Sequence, residues 1–223
     1  MTLQGEGPDA GRPCHFLRLG GCSIQCGWCD TAYTWDSNRF NLSEELTTMT
    51  VDAVRDKIDA LIDQTEIYRL VVSGGEPMQQ QSGIAELLSG WVAVEHVEIE
   101  TSGVIPLTMR LGVSRTCQPV FNVSPKLAHA RTKRPYSYDV LQQYVEVGGR
   151  FKFVVQETAD LLEIEQIQSN IGLANGDIWI MPEGTTPDRI ISSTTKLWDE
   201  VVSRGWNLTT RLHVLAFGNT RGV

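Results

Sequence analysis

The chain has 223 residues, 41% hydrophobic and 21% charged, which suits one domain spanning 1–223 and excludes a disordered or low-complexity chain. A net charge of −8 excludes the basic footprint of a nucleic-acid groove; with no secretory start and no bilayer-length stretch, the expectation is a cytoplasmic protein without membrane or direct nucleic-acid partners. Five cysteines, three of them clustered, fit a reducing compartment in which thiols hold metals rather than bridges.

Thr2 to Gly11 reads as an exposed glycine-rich loop whose backbone can approach a ligand closely. Arg12-Pro13 starts a strand, Cys14 to Leu19, with Cys14, Phe16 and Arg18 on one face and His15, Leu17 and Leu19 on the other. Arg18 therefore sits at a strand end, beside Cys22-Ser23-Ile24-Gln25-Cys26-Gly27-Trp28-Cys29-Asp30. Three thiols this close cannot all pair as disulfides and read as ligands. Thiolate suits zinc and iron–sulfur clusters alike, and ligand count separates the two. Structural zinc takes four protein ligands, whereas here Cys117 stands alone and His15, His96, His129 and His213 are scattered. A four-iron cluster normally takes four cysteines; held by three, it leaves one iron open to a small molecule.

Asp30 to Leu46 reads as a loop with a short turn, in which Asp30 and Thr31 offer hard oxygen ligands that could meet magnesium. Thr50 caps a helix carrying Val54, Ile58, Leu61 and Ile62 at helical spacing. Tyr68 to Ser73 is a strand, broken by Gly74-Gly75-Glu76-Pro77, and Met78 to Trp91 resumes a helical pattern. Strands follow at His96 to Thr101, with Val97 and Ile99 opposite Glu98 and Glu100, and at Val120 to Val123, which ends in Ser124-Pro125-Lys126. Helices at Tyr138 to Val147, Asp160 to Ser169 and Pro187 to Arg204 alternate with strands at Phe151 to Val155 and Asp177 to Met181, the latter ending in Pro182-Glu183-Gly184. Thr209 to Phe217 is expected to close the chain as a strand with His213 inside it.

This alternation predicts an α/β fold of mostly parallel strands. Seven short strands and about five helices favour an incomplete TIM-type barrel over a full one, which takes about 250 residues. The polar clusters fall after strand C-termini, the edge where ligands bind in such folds.

Cys-x-x-x-Cys-x-x-Cys with Trp28 before the last cysteine resembles the cluster motif of radical S-adenosylmethionine enzymes, which implies a modified, small radical SAM core. The resemblance implies that Cys22, Cys26 and Cys29 hold a 4Fe-4S cluster, catalytic in starting the reaction, whose open iron chelates S-adenosylmethionine; one electron then cleaves the cofactor to a 5′-deoxyadenosyl radical. Thr2 to Gly7, the cysteine run with Asp30-Thr31, Ser73 to Pro77, Glu100-Thr101-Ser102-Gly103 and Ser124-Pro125-Lys126 occur in the order found in the 7-carboxy-7-deazaguanine synthase family, which the chain resembles from its first residues to about Lys126 and less closely beyond.

That resemblance implies conversion of 6-carboxy-5,6,7,8-tetrahydropterin to 7-carboxy-7-deazaguanine with loss of ammonia, in queuosine and 7-deazapurine biosynthesis, using the cluster, S-adenosylmethionine and magnesium. It places Trp28, Cys29, Asp30, Gly75, Ser124, Pro125 and Lys126 along S-adenosylmethionine, more loosely Met181, Pro182, Glu183 and Gly184. Leu3, Gln4, Gly5, Arg18, Ser73 and His213 fall to the pterin, and Thr31 to magnesium. A homodimer and a flavodoxin or ferredoxin reductant are implied partners. Three features depart from the family: the chain starts at the glycine loop without the strand that normally precedes it, Val214 stands where many relatives carry lysine, and the tail from Phe217 to Val223 is longer. Two alternatives use the same thiols: an activase abstracting hydrogen from a partner protein's glycine, and a non-catalytic zinc-binding interaction module.

Overall fold

The computed structural model describes residues 1–108, 111 and 118–222; Cys117 lies outside them. One sheet runs through the chain, its eight strands neighbouring one another in sequence order. β1 (Thr2–Leu3) lies antiparallel to β2 (Pro13–Leu19). A 3-10 turn at Ala32–Thr34, α1 (Leu42–Glu45) and α2 (Val51–Thr65) lead to β3 (Arg69–Gly74), then a 3-10 turn at Pro77–Gln80 enters α3 (Gln81–Leu88). β4 (His96–Thr101), β5 (Val120–Val123), α4 (Tyr138–Glu146), β6 (Arg150–Val155), α5 (Asp160–Ile171) and β7 (Ile178–Pro182) follow. α6 (Pro187–Arg204), β8 (Asn207–Leu208) and α7 (Leu212–Phe217) complete the order. From β2 to β8 every pairing is parallel and the sheet stays open, as an incomplete barrel requires.

Local chemistry sets the helix ends. Thr50 accepts a hydrogen bond from the Ala53 N–H at 3.2 Å, capping α2. Thr186 caps α6, with Pro187 in the first turn and Gly205 in the left-handed conformation after the last.

The two faces of the sheet differ. Leu70, Val72, Val97, Ile99, Phe121, Val123, Phe151, Phe153, Ile178 and Ile180 point toward the helices and form one buried core with Ile58, Leu88, Tyr144, Ile164 and Leu197. The intervening residues carry Arg18, Ser73, Glu98, Glu100, Asn122 and Lys152 on the opposite face, of which Ser73, Glu98, Asn122 and Lys152 are buried. Polar side chains inside a sheet's concave face have no helix to meet and must be satisfied by one another or by a ligand.

Three expectations need correction. Thr2 to Gly11 is not an exposed loop: Gln4, Gly5, Gly7 and Asp9 are buried, because the loop folds back over the polar face and finds its partners there. Thr2 and Leu3 also form β1. The strand expected from Thr209 to Phe217 is absent; β8 ends at Leu208, and His213 lies in α7. The Thr209 N–H makes its last bond to Ile180 O at 2.9 Å, after which Leu215 and Gly218 bond back to Arg211 and Val214 in helical fashion. A short apolar run such as Leu212 to Phe217 does not distinguish helix from strand by periodicity. No helix among the described residues is long and apolar enough to cross a membrane.

Candidate active site

The cysteine loop leaves the C-terminal end of β2, where Leu19 stands in register with Gly74 of β3. The two following turns lock together: the Gly75 N–H donates to Leu19 O at 3.0 Å and the Glu76 N–H to Gly21 O at 2.9 Å. A Cβ on Gly75 would stand 2.3 Å from Gly21 O and 2.7 Å from the Cys22 Cβ, so only glycine lets this turn support the cysteine loop. Glu76 fastens the same corner to the end of β4. Its buried carboxylate accepts from the Thr101 hydroxyl at 2.6 Å, the Ser102 N–H at 2.8 Å and the Met78 N–H at 3.1 Å.

Cys22, Cys26 and Cys29 are free thiols, each partly buried. Burial pushes the Cys26 thiol up to about 11, with the neighbouring Cys29 and Cys22 adding to the effect and the Lys126 ammonium opposing it. Burial likewise raises Cys22. Such thiols ionise once a cation meets them, and bound metal deprotonates a coordinating thiol outright. Among the described residues no three His, Cys, Asp or Glu side chains converge on a point fit for a single metal ion. A cluster held by three cysteines makes no such demand, because each binds a different iron. The donor set fits a 4Fe-4S group, and the surroundings have donors to spare. The Trp35 indole N–H points at the Cys29 sulfur at 3.4 Å. Trp28 stacks on the His129 ring, centroids 5.8 Å apart, and keeps a buried Nε1 without a partner, as does the Ser23 hydroxyl.

The expected cofactor positions fall at strand ends and in the turns that follow them. Gly75 lies under the cysteine loop; Ser124 and Pro125 are buried directly after β5, and the Lys126 Nζ donates to Ser124 Oγ at 2.9 Å. Met181 and Pro182 end β7, the Glu183 N–H returns to Val155 O at 2.8 Å, and Gly184 O accepts from Arg211 at 2.9 Å. Asp30 is ion-paired with Arg211. The Thr31 hydroxyl makes no capping bond and stands 3.6 Å from the Cys29 sulfur.

The six expected substrate positions form two pairs, with Gln4 turned to the polar face and Leu3 an outlier. Arg18 and Ser73 are register partners at the ends of β2 and β3; the Arg18 guanidinium is exposed, lies 4.9 Å from the Phe16 ring centre and makes no ion pair with any described residue. Gly5 meets His213: a Cβ there would lie 2.2 Å from the imidazole Nδ1, and Gly5 O accepts from the Leu212 N–H at 2.8 Å. Gln4 turns inward, its amide donating to Glu98 at 2.5 Å and Glu100 at 3.2 Å. Leu3 is the outlier, 53% exposed in β1.

Residues that no local motif singled out hold the polar face together. Lys152 donates to Glu6 at 2.6 Å and stands 3.6 Å from Glu100; Arg211 donates to Glu6 at 2.8 Å. Burial alone would raise the Glu6 carboxyl, but Lys152 and Arg211 outweigh it and hold Glu6 far below the carboxylate range. Burial lowers His213, with Arg211 and Lys152 adding to the shift against Glu6 and Asp30. Glu98 is the reverse case: burial, then Glu100 and Asp9, push it up to about 7. Glu98 and Glu100 carried a signal, two acids on one face of an apolar strand; Lys152 and Arg211 did not.

Comparison with known proteins agrees with this geometry. Residues 3–102 match the family described as a 4Fe-4S single cluster domain. The 7-carboxy-7-deazaguanine synthase of Pyrobaculum aerophilum is 38% identical over 99% of this chain and 93% of its own length. That of Rhodopirellula baltica is 28% identical over 100% of this chain and 86% of its own. Streptococcus suis SuiB shares the fold, with a TM-score of 0.59 at 12% identity, over 92% of this chain and 51% of that longer one. An open parallel α/β sheet with three free cysteines at its C-terminal edge is the core of a radical S-adenosylmethionine enzyme, for which a 4Fe-4S cluster and S-adenosylmethionine are the expected cofactors. Within that class, this chain belongs to the 7-carboxy-7-deazaguanine synthase family.

Proposed function

We propose that the chain, acting as one domain, converts 6-carboxy-5,6,7,8-tetrahydropterin to 7-carboxy-7-deazaguanine with loss of ammonia. The observation that carries this reading is the meeting of Gly5 with His213. Residues from opposite ends of the chain, each assigned to the pterin by family resemblance, lie in direct contact above the polar face.

When bound, the cluster and S-adenosylmethionine supply the one-electron cleavage that opens the reaction. Cys22, Cys26 and Cys29 hold the cluster, and Trp28, Asp30, Gly75, Ser124, Pro125, Lys126 and the turn from Met181 to Gly184 line the cofactor. Arg18 offers a planar fork for the pterin carboxylate, beside Ser73. Leu3, Gln4, Gly5 and His213 frame the ring, Gln4 held in place by Glu98. Thr31 gives a hard oxygen to magnesium, which can clamp a substrate carboxylate.

The working protein is a cytoplasmic homodimer, reduced by a flavodoxin or ferredoxin, whose product feeds the modification of tRNA or DNA. Anaerobic incubation of reduced, iron-loaded enzyme with the carboxypterin tests the reading by substrate absorbance. Turnover supports it; no turnover with an intact cluster overturns it. About four irons per chain are expected; zinc in their place would overturn the radical reading as well.

A further inference from the structure

The segment that follows β5 is bound to the cysteine loop along its backbone. The Gly27 N–H donates to Ala130 O at 2.9 Å and the Lys133 N–H to Ile24 O at 2.9 Å. From below, Glu163 of α5 accepts from the Ala128 N–H at 3.0 Å and the Tyr136 hydroxyl at 2.9 Å. The His129 ring bonds to Val154 O at 3.1 Å and stacks on Trp28. The loop is thus a fixed platform joined to the thiols.

Its outer side carries Arg131, Lys133 and Arg134, all exposed, and none makes an ion pair or side-chain hydrogen bond with any described residue. Arg131 also takes the left-handed conformation, with φ +47°, where glycine or asparagine is at ease and arginine is not. Three unneutralised cations beside the cysteines stand out on a chain whose net charge is −8. That net charge repels an acidic macromolecule, so a local cationic face decides where one can dock.

We propose that Arg131, Lys133 and Arg134 form the docking face for an acidic one-electron carrier protein that reduces the cluster. The inference rests on the radical-enzyme reading above. The step it serves moves one electron: the carrier is oxidised by one, the cluster is reduced by one, and no bond is made or broken. Electron transfer weakens steeply with distance, and a carrier seated on this platform meets the loop that holds the three thiolates.

The test titrates an acidic flavodoxin and an acidic ferredoxin, in separate arms, against the iron-loaded chain and against an R131G/K133Q/R134Q variant. Glycine at 131 relieves the backbone, so the variant should fold and hold iron as the unaltered chain does; iron content and circular dichroism check this. A K57Q/K196Q variant removes two exposed cations from α2 and α6 as a control. The expected result is at least a tenfold weaker Kd for one carrier or both in the triple variant, with a flatter salt dependence, and little change in the control. Turnover driven by dithionite should be unchanged in both variants. Unchanged carrier affinity in the triple variant, equal weakening in the control, or no binding of either carrier to the unaltered chain would overturn the docking face. Failure of dithionite-driven turnover in the unaltered chain would instead count against the proposed function, while the Kd comparison still decides docking.

Discussion

The Nε of Arg211 donates to the Glu6 carboxylate at 2.8 Å, joining residues 205 positions apart in the chain. The same guanidinium reaches Gly184 O and Asp30. One side chain therefore ties the N-terminal loop, the cysteine loop and the turn after β7 to the start of α7.

Replacing Arg211 by Met should leave the largely covered Glu6 with Lys152 and the more distant His213 ring, and Asp30 without this ion pair. Removing one partner of a buried pair costs about 3 kcal/mol, read as a drop in urea midpoint for the iron-free chain. The Glu6 contribution also sets an acid signature. Because the folded-state carboxyl lies below its ordinary 4.5, its stabilisation is complete above that pH and is lost only as strong acid protonates the folded protein. An Arg211→Met chain as stable as the original would refute the tie.

Glu98 predicts the opposite slope. Its Oε1 accepts from Gln4 and from Asn122 at 2.7 Å, while its Oε2 is buried without a donor. A proton on Oε2 removes the cost of a bare, buried carboxylate oxygen. With the folded group raised from 4.5 to about 7, the folded state holds the extra proton between those values. Stability then falls as pH climbs from 4.5 through 7, by up to about 3 kcal/mol. Glu98→Gln keeps the hydrogen bonds without the charge, so it should flatten that slope and stabilise the chain at pH 8. Parallel pH–stability curves for the two proteins would count against a protonated Glu98.

Gly75 and Gly83 make a paired prediction. Ala at 75 drives its methyl into Gly21 O and Cys22, so the cysteine loop must move; iron bound per chain after reconstitution should fall severalfold. Gly83 lies within α3 with nothing within 4 Å of a built Cβ, so Gly83→Ala should stabilise by about 0.5–1 kcal/mol and leave iron unchanged. Full iron loading in Gly75→Ala would show that the turn does not support the loop.

Much of this was legible from local chemistry. Thr50 and Pro187 mark helix starts because their capping and φ preferences act within one turn, and the alternation of Val97 and Ile99 with Glu98 and Glu100 gives β4 its two faces. The cysteine spacing is local too, and the thiols lie where the strand count places them. What escaped depends on distance in the chain. The glycine loop looked exposed because its partners, Glu98, Lys152 and Arg150, lie 94 or more residues away in sequence. The turn at Thr210 and Arg211 that stops β8 is likewise fixed by what Arg211 reaches, and Leu212 to Phe217 alone cannot announce it.

Trp35 was also invisible to the motif, since nothing in Ala32 to Thr34 says that the next indole will turn back on Cys29. Its N–H···S contact at 3.4 Å puts the positive end of a dipole on the Cys29 sulfur, a proposed cluster ligand. Hydrogen bonds to the sulfurs are among the terms that set cluster potentials, and a positive dipole favours the form with the extra electron. A neutral hydrogen bond is worth about 1 kcal/mol, which for one electron corresponds to about 40 mV. Trp35→Phe keeps the ring and removes the donor, so the cluster should become harder to reduce by up to that amount, measured by redox titration with electron paramagnetic resonance. Iron content should stay at its original level, which separates a tuned cluster from a damaged one. A potential unmoved by the substitution, in a fully loaded protein, would mean that the indole N–H is not directed at the sulfur once the cluster is bound.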